Sequence, residues 1–222
     1  MDHGHGHGRP MTEEEIRAML EAPAWDERYG GAELVWSGFP NPQLVAEIDD
    51  VAPGAALDVG AGEGADAVWL ARRGWAVTAV DFSATALKRV AEHAAEAGVQ
   101  VTTEQADVRS WTPPERAFQL VNSQFMHQPA EVFAPLVARL AAAVAPGGHL
   151  LVVGHHPKDL ENPEIGRPAV GDMLFTAEEI AARLDPADWE IVAALTRPRQ
   201  LIGVNGEPVT GHDAVLHARR RA

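Results

Sequence analysis

The segment Asp58-Val59-Gly60-Ala61-Gly62-Glu63-Gly64 places a carboxylate and three glycines directly after a short apolar run. Glycines at such a point let the backbone turn tightly and approach a ligand without a Cβ clash. A helix is predicted to start just after them, so its free N–H groups and its dipole favour a negative group. Asp58 has the opposite preference and suits a cation such as an ammonium. Asp81 closes the next predicted strand, 21 positions beyond Gly60, with Phe82 beside it. A carboxylate there is placed to accept from ribose hydroxyls. Asp107, in Ala106-Asp107-Val108, follows the third predicted strand. Its carboxylate can accept from an exocyclic amine while a neighbouring N–H donates to a ring nitrogen, which reads an adenine edge.

A second group of residues suits a reaction beside such a ligand. The fourth predicted strand runs into Asn122-Ser123-Gln124-Phe125-Met126-His127 and the fifth into Gly154-His155-His156-Pro157. His127 is the best acid/base candidate, since imidazole titrates near neutral pH. His155 and His156 join it as candidate catalytic residues. Neighbours on extended backbone point to opposite faces, so polar contact with a substrate is favoured over a shared metal, and no metal site is assigned. Arg167, in the long loop 157–175, suits an anionic substrate, and loops of this length are often lids. Tyr29 and Trp36 can exclude water or stack on bound molecules.

These residues need a scaffold that brings strand ends together. Thr12 with Glu13–Glu15 predicts a helix N-terminus, and that helix stops before Pro23. Residues 24–42 read as an aromatic flap without regular structure, followed by a short helix over 43–50. Strands are predicted over 55–59, 75–80, 99–104, 118–122 and 149–153, with helices over 65–73, 83–97 and 130–144. Thr176 and Glu179 predict a capping box, and strands over 189–196 and 212–218 end the chain. Read as five βα units and a final strand pair, this is an α/β, Rossmann-like doubly wound sheet of seven strands. It is mostly parallel with an antiparallel edge strand and has helices on both faces. Ligands of such sheets bind at the carboxyl ends of the strands.

Composition narrows the partners. The 222 residues carry 18 Lys+Arg against 32 Asp+Glu, for a formal charge of −14, which argues against nucleic acid and leaves a small-molecule substrate. No apolar run is long enough for a membrane span, no signal-peptide pattern opens the chain, and cysteine is absent, so a cytoplasmic location is expected. Residues 1–11 read as a disordered His/Gly tail, in which His3, His5 and His7 are loose metal-ligand candidates. Residues 12–222 read as one domain with a cap segment over 12–50. The oligomeric state is left open.

Leu57–Gly64, Val80-Asp81, Ala106-Asp107-Val108 and Pro146-Gly147-Gly148 together resemble the motifs of class I S-adenosylmethionine-dependent methyltransferases, over about residues 50–218. Trp25–Tyr29, Val35–Gly38 and Pro40-Asn41-Pro42 further resemble the small-molecule tellurite-resistance and thiopurine methyltransferase group. The resemblance implies S-adenosylmethionine held by Trp36, Asp58, Gly60, Gly62, Gly64, Asp81, Phe82, Asp107, Val108 and Gln124. It implies an acceptor (thiol, chalcogen, oxygen or nitrogen) near Tyr29, Trp36, Phe125 and Arg167. The alternatives are a non-catalytic or metal-responsive S-adenosylmethionine binder and an NAD-binding oxidoreductase, since Gly60-x-Gly62-x-x-Ala65 also satisfies the dinucleotide pattern.

Overall fold

The computed structural model describes residues 13–18, 20–31, 33–167 and 171–222. The N-cap expected at Thr12 and the His/Gly tail lie outside them.

Seven strands form one sheet: β1 (Ala55–Val59), β2 (Ala76–Asp81), β3 (Val101–Gln105), β4 (Phe118–Gln124), β5 (Val144–His155), β6 (Trp189–Ile202) and β7 (Pro208–Arg220). Their spatial order is β3-β2-β1-β4-β5-β7-β6. β1 through β5 pair in parallel, and β7 runs antiparallel between β5 and β6. The order reverses between β1 and β4, which opens the crevice at their carboxyl ends.

Helices cover both faces. On one lie α3 (Pro42–Ile48), α4 (Ala65–Arg72) and α5 (Ala84–Glu96), whose Leu44, Ile48, Leu70, Leu87 and Val90 pack with Ala56, Val77 and Leu151. On the other, α6 (Ala130–Ala143) and α7 (Ala177–Ala181) pack Phe133, Leu136, Leu140 and Ile180 on Leu57, Val121 and Leu150. Ser83 caps α5 by accepting from the Ala86 N–H at 3.0 Å, and Thr176 with Glu179 closes the expected capping box on α7. No helix among the described residues is long and apolar enough to cross a membrane.

Three expectations differ from the structure. Two helices, α1 (Glu13–Ala18) and α2 (Ala22–Tyr29), occupy the N-terminal segment, so the flap is partly helical. Pro23 lies in the first turn of α2, where a missing N–H costs nothing, so the proline starts a helix as well as following one. Among the described residues 106–117 carry no helix, so β3 passes to β4 by a loop and the sheet has four βα units before the terminal pair. The terminal hairpin is longer than predicted, pairing Arg197 with Asp213 and continuing to Ile202 opposite Pro208. Pro198 and Pro208 disguised it. An edge strand and a strand's first residue both tolerate proline, because no ladder hydrogen bond is lost there.

Candidate active site

A cavity of about 1040 Å³ opens at the carboxyl ends of β1, β2, β4 and β5. Its floor is the turn between β1 and α4. Gly60, Gly62 and Gly64 all have positive φ, at 73°, 52° and 84°. The space matters as much as the angle. A Cβ on Gly60 would stand 2.7 Å from Met126 Cε, and one on Gly64 2.9 Å from Val90 Cγ2, so the third glycine lets α5 pack against the turn. The Gly60 and Ala61 N–H groups donate to the Val80 carbonyl at 2.8 and 3.1 Å, and Gly62 N–H donates to Asp81 Oδ2 at 2.9 Å. Asp81 Oδ1 accepts from Ser83 N–H at 2.9 Å. The second carboxylate therefore braces the turn and lines the cavity as well; burial holds its pKa above the usual range.

Asp58 is buried at the end of β1. Its Oδ1 accepts from Asn122 Nδ2 at 2.8 Å, and Asn122 Oδ1 accepts from Gln124 Nε2 at 2.8 Å. Among the described residues, Asp58 Oδ2 and Gln124 Oε1 are buried without a well-formed hydrogen bond, although the Ala67 N–H lies close enough to Asp58 to favour its ionised form. Burial raises the Asp58 pKa, and the nearby Asp66 carboxylate raises it further. Two unpartnered acceptors in one wall are an unmet demand for a donor, and a cation meets it best.

Asp107, Val108 and Phe82 line the far end of the same cavity. Asp107 is held by Arg109, whose Nε donates to both carboxylate oxygens at 3.0 and 2.9 Å and whose other nitrogens bind Glu21 at 2.7 and 3.1 Å. That guanidinium keeps the Asp107 pKa low, so the carboxylate stays an acceptor. Trp111 does not line the cavity; its Nε1 donates to Glu104 at 2.6 Å and it packs on the core.

The N-terminal segment closes over this floor. Tyr29 is buried, its ring stacks on Trp25 with centroids 5.4 Å apart, and its hydroxyl accepts from Trp36 Nε1 at 3.1 Å. Both Tyr29 and Trp36 line the cavity. Three acidic residues that the sequence reading passed over staple the segment down. Asp26 accepts from Ser83 Oγ at 2.6 Å and Thr85 N–H at 3.1 Å, tying α2 to α5. Glu63 accepts from the Val35 and Trp36 N–H groups at 3.2 and 2.9 Å and pairs with Arg89. Asp66 accepts from Asn41 N–H at 2.7 Å and Asn41 Nδ2 at 2.9 Å. Glu63 and Asp66 stand in and just after the glycine turn, which was the available signal.

The three histidines part company. His127 and His155 stack with centroids 4.6 Å apart, and both line the cavity with Phe125. His127 Nε2 accepts from the His155 N–H at 3.3 Å. Burial, with the Arg167 and Arg199 charges nearby, pushes the His127 pKa down to about 3. These surroundings disfavour the protonated form of the acid/base expected at His127. His156 is a correction too: it is not among the cavity-lining residues, and its Nδ1 accepts from Lys158 N–H at 3.0 Å to cap a 3₁₀ turn at Pro157–Glu161. Lying one residue past the end of β5 on extended backbone, it takes the face opposite to His155. Arg167 does reach the cavity, together with Arg199 of β6, which was not foreseen because the hairpin was read as ending sooner. Among the described residues no group of three or more metal-ligating side chains is gathered.

A family model described as a methyltransferase domain matches residues 56–148. The chain is 30% identical over 163 residues to 2-heptyl-1-hydroxyquinolin-4(1H)-one methyltransferase of Mycobacteroides abscessus, covering 67% of this chain and 72% of that one. Its fold matches a structure from work on the conversion of a disulfide bond into a thioacetal group during echinomycin biosynthesis. The TM-score is 0.71 at 21% identity, covering 90% of this chain and 91% of that one. It also matches TehB from Haemophilus influenzae, with TM-score 0.68 and 18% identity over 90% of this chain and 67% of TehB.

The residues present fit S-adenosylmethionine. The unpartnered acceptors of Asp58 and Gln124 suit an ammonium, the braced carboxylate of Asp81 suits a diol, and the Asp107-Val108 end suits a purine edge. When bound, this cofactor supplies an electrophilic methyl group on a sulfonium. The chain belongs to the class I S-adenosylmethionine-dependent methyltransferases.

Proposed function

We propose that this methyltransferase modifies an aromatic small molecule bearing an acidic hydroxyl, seated between the N-terminal segment and the terminal hairpin. The observation that carries the reading is the half of the cavity beyond Gln124. There Phe125, Met173, Leu174, Leu201 and Ile202 form an apolar wall with Arg167 and Arg199 set into it. A flat ring system with an apolar extension fits that wall, and the relative that acts on 2-heptyl-1-hydroxyquinolin-4(1H)-one supports the same class. In this reading Trp36, Asp58, Gly60, Gly62, Gly64, Asp81, Phe82, Asp107, Val108 and Gln124 hold the cofactor. Tyr29, Trp36, Phe125 and Arg167 contact the acceptor, and His127 with His155 shapes the wall between them. The acidic surface supports an acceptor other than nucleic acid. We further propose a cytoplasmic location, with which a chain without cysteine agrees, and fractionation of the tagged protein tests that.

The experiment is S-adenosylhomocysteine release over a panel of hydroxyquinolones, phenols, thiols and amines. Turnover is expected with aromatic hydroxyls. Turnover confined to thiols or amines contradicts the acceptor class.

A further inference from the structure

Two guanidiniums face the acceptor half of the cavity, and their counterions lie behind them. Arg167 Nε is 3.3 Å from Asp159 Oδ2, and Arg199 Nε is 3.2 Å from Asp213 Oδ1. Both arginines line the cavity, whereas the side chains of Asp159 and Asp213 are 0% and 1% exposed and do not line it. Each carboxylate has other work. Asp159 Oδ1 accepts from the His212 N–H at 2.8 Å and faces its Nδ1 at 3.0 Å, and Asp213 Oδ2 accepts from Gln43 Nε2 at 3.0 Å. Arg167 Nη2 is buried with no hydrogen-bond partner among the described residues. The Arg199 guanidinium lies 5.0 Å from the Phe125 ring centroid, and its Nη2 is 3.5 Å from His155 Nδ1.

A buried guanidinium donor left unmade is costly, and an oxyanion is its best acceptor. Burial and these two charges push the His127 pKa down, so its imidazole is disfavoured as a third cation beside them. The cavity is therefore polarised. Its cofactor half carries the carboxyl groups of Asp58 and Asp81, and its acceptor half the guanidiniums of Arg167 and Arg199.

We propose that Arg167 and Arg199 form an oxyanion subsite and that the methyl acceptor binds as its conjugate base. This rests on the methyltransferase reading above. In the transfer, a lone pair of the anionic oxygen forms the O–CH₃ bond. The S–CH₃ bond breaks with its electron pair remaining on sulfur, so an anion and a sulfonium become a methyl ether and a thioether. No proton moves, and the step needs no side-chain base. That accords with the depressed pKa of the cavity-lining His127. Arg167 and Arg199 orient the anion and keep its proton off.

The test is calorimetry on the full chain saturated with S-adenosylhomocysteine, at pH 8. It uses matched pairs of probes, 2-naphthoate against 2-naphthamide and 4-nitrophenolate against 4-nitroanisole. At least one anion is expected to bind 10-fold or more tighter than its neutral partner. Arg167→Gln and Arg199→Gln are expected to cut that preference to under about threefold, while Arg199→Lys retains part of it. S-adenosylhomocysteine affinity, measured first in the same cell, reports folding of each variant. Equal binding of charged and neutral partners overturns the proposal. So does a preference that survives both glutamine variants, or no binding by either anion to a chain that binds S-adenosylhomocysteine. Failure of the wild-type chain to bind S-adenosylhomocysteine overturns the cofactor reading instead.

Discussion

Glu63→Gln tests whether the N-terminal segment is a working part of the cofactor site. Glu63 accepts two backbone N–H groups, from Val35 and Trp36, and pairs with Arg89, at side-chain exposures of 4% for the glutamate and 13% for the arginine. Glutamine fills the same volume but offers one acceptor oxygen where the carboxylate offered two. Its amide must then face either a backbone N–H or the guanidinium, donor against donor. Arg89 keeps its contacts with the carbonyls of Glu33 and Gly31, which also belong to the segment. The loss is thus roughly two charge-assisted hydrogen bonds at about 1.5–3 kcal/mol each. Retained contacts and entering water bring the net to about 3 kcal/mol. That energy is lost from docking of residues 22–41, because the glycine turn beneath is held independently by Val80 and Asp81. If only the docked segment completes the site, cofactor affinity falls by up to about 100-fold, at 1.4 kcal/mol per decade. Hydrogen exchange at 22–41 and titration with S-adenosylhomocysteine read the two effects together. Faster exchange with an unchanged dissociation constant refutes the reasoning, because the segment would then be a cover and no part of the grip.

Other outcomes follow from the same contacts. Asp58 holds its proton above the usual carboxylate range, and an ammonium beside it favours the ionised form. Binding of S-adenosylhomocysteine should therefore release a proton, seen as a calorimetric enthalpy that varies with buffer, and affinity should rise with pH across that titration. The free protein should lose stability as pH rises from the ordinary carboxylate range, since its folded state binds protons there that the unfolded state lacks; Asp58→Asn should abolish the proton release on binding and lessen the stability loss, the remainder belonging to the buried carboxyls of Asp66, Asp81 and Asp213. Gly62→Ala places a Cβ 3.1 Å from the Tyr29 hydroxyl at a φ of 52°, and should weaken cofactor binding by about 10-fold as the left-handed strain of about 1–2 kcal/mol is added. Gly154→Ala puts a Cβ 2.6 Å from Phe175 Cε1, in a ring stacked on Phe133. It should cost about 1–3 kcal/mol in denaturant unfolding, with little change in cofactor affinity.

The cofactor half of the site was legible because its chemistry is local. A strand, a glycine turn and a helix start occupy consecutive positions, so Asp58–Gly64 could be read without knowing any long-range contact. Asp81 and Asp107 could be placed for the same reason, each ending or following a strand. The acceptor half is assembled from distant segments. Arg199 faces the cavity only because β6 runs past the end of β5, and two prolines hid that extension. His127 looked like a base by type, but its basicity depends on two arginines that lie 40 and 72 positions further along the chain. His156 was a matter of parity just past the end of β5, where a one-residue shift decides which face a side chain takes. The staples at Asp26, Glu63 and Asp66 were missed because acidic residues near a turn more often face water than bind backbone N–H groups of another segment.

The most direct test of the account is a crystal structure of the chain with S-adenosylhomocysteine. The account predicts the ligand's amino group within about 3 Å of Asp58 Oδ2 and Gln124 Oε1. It predicts the ribose on Asp81, the purine beside Val108, and the sulfur facing the wall of Phe125, Arg167 and Arg199. An amino group bound elsewhere, with Asp58 Oδ2 still unpartnered, would contradict it.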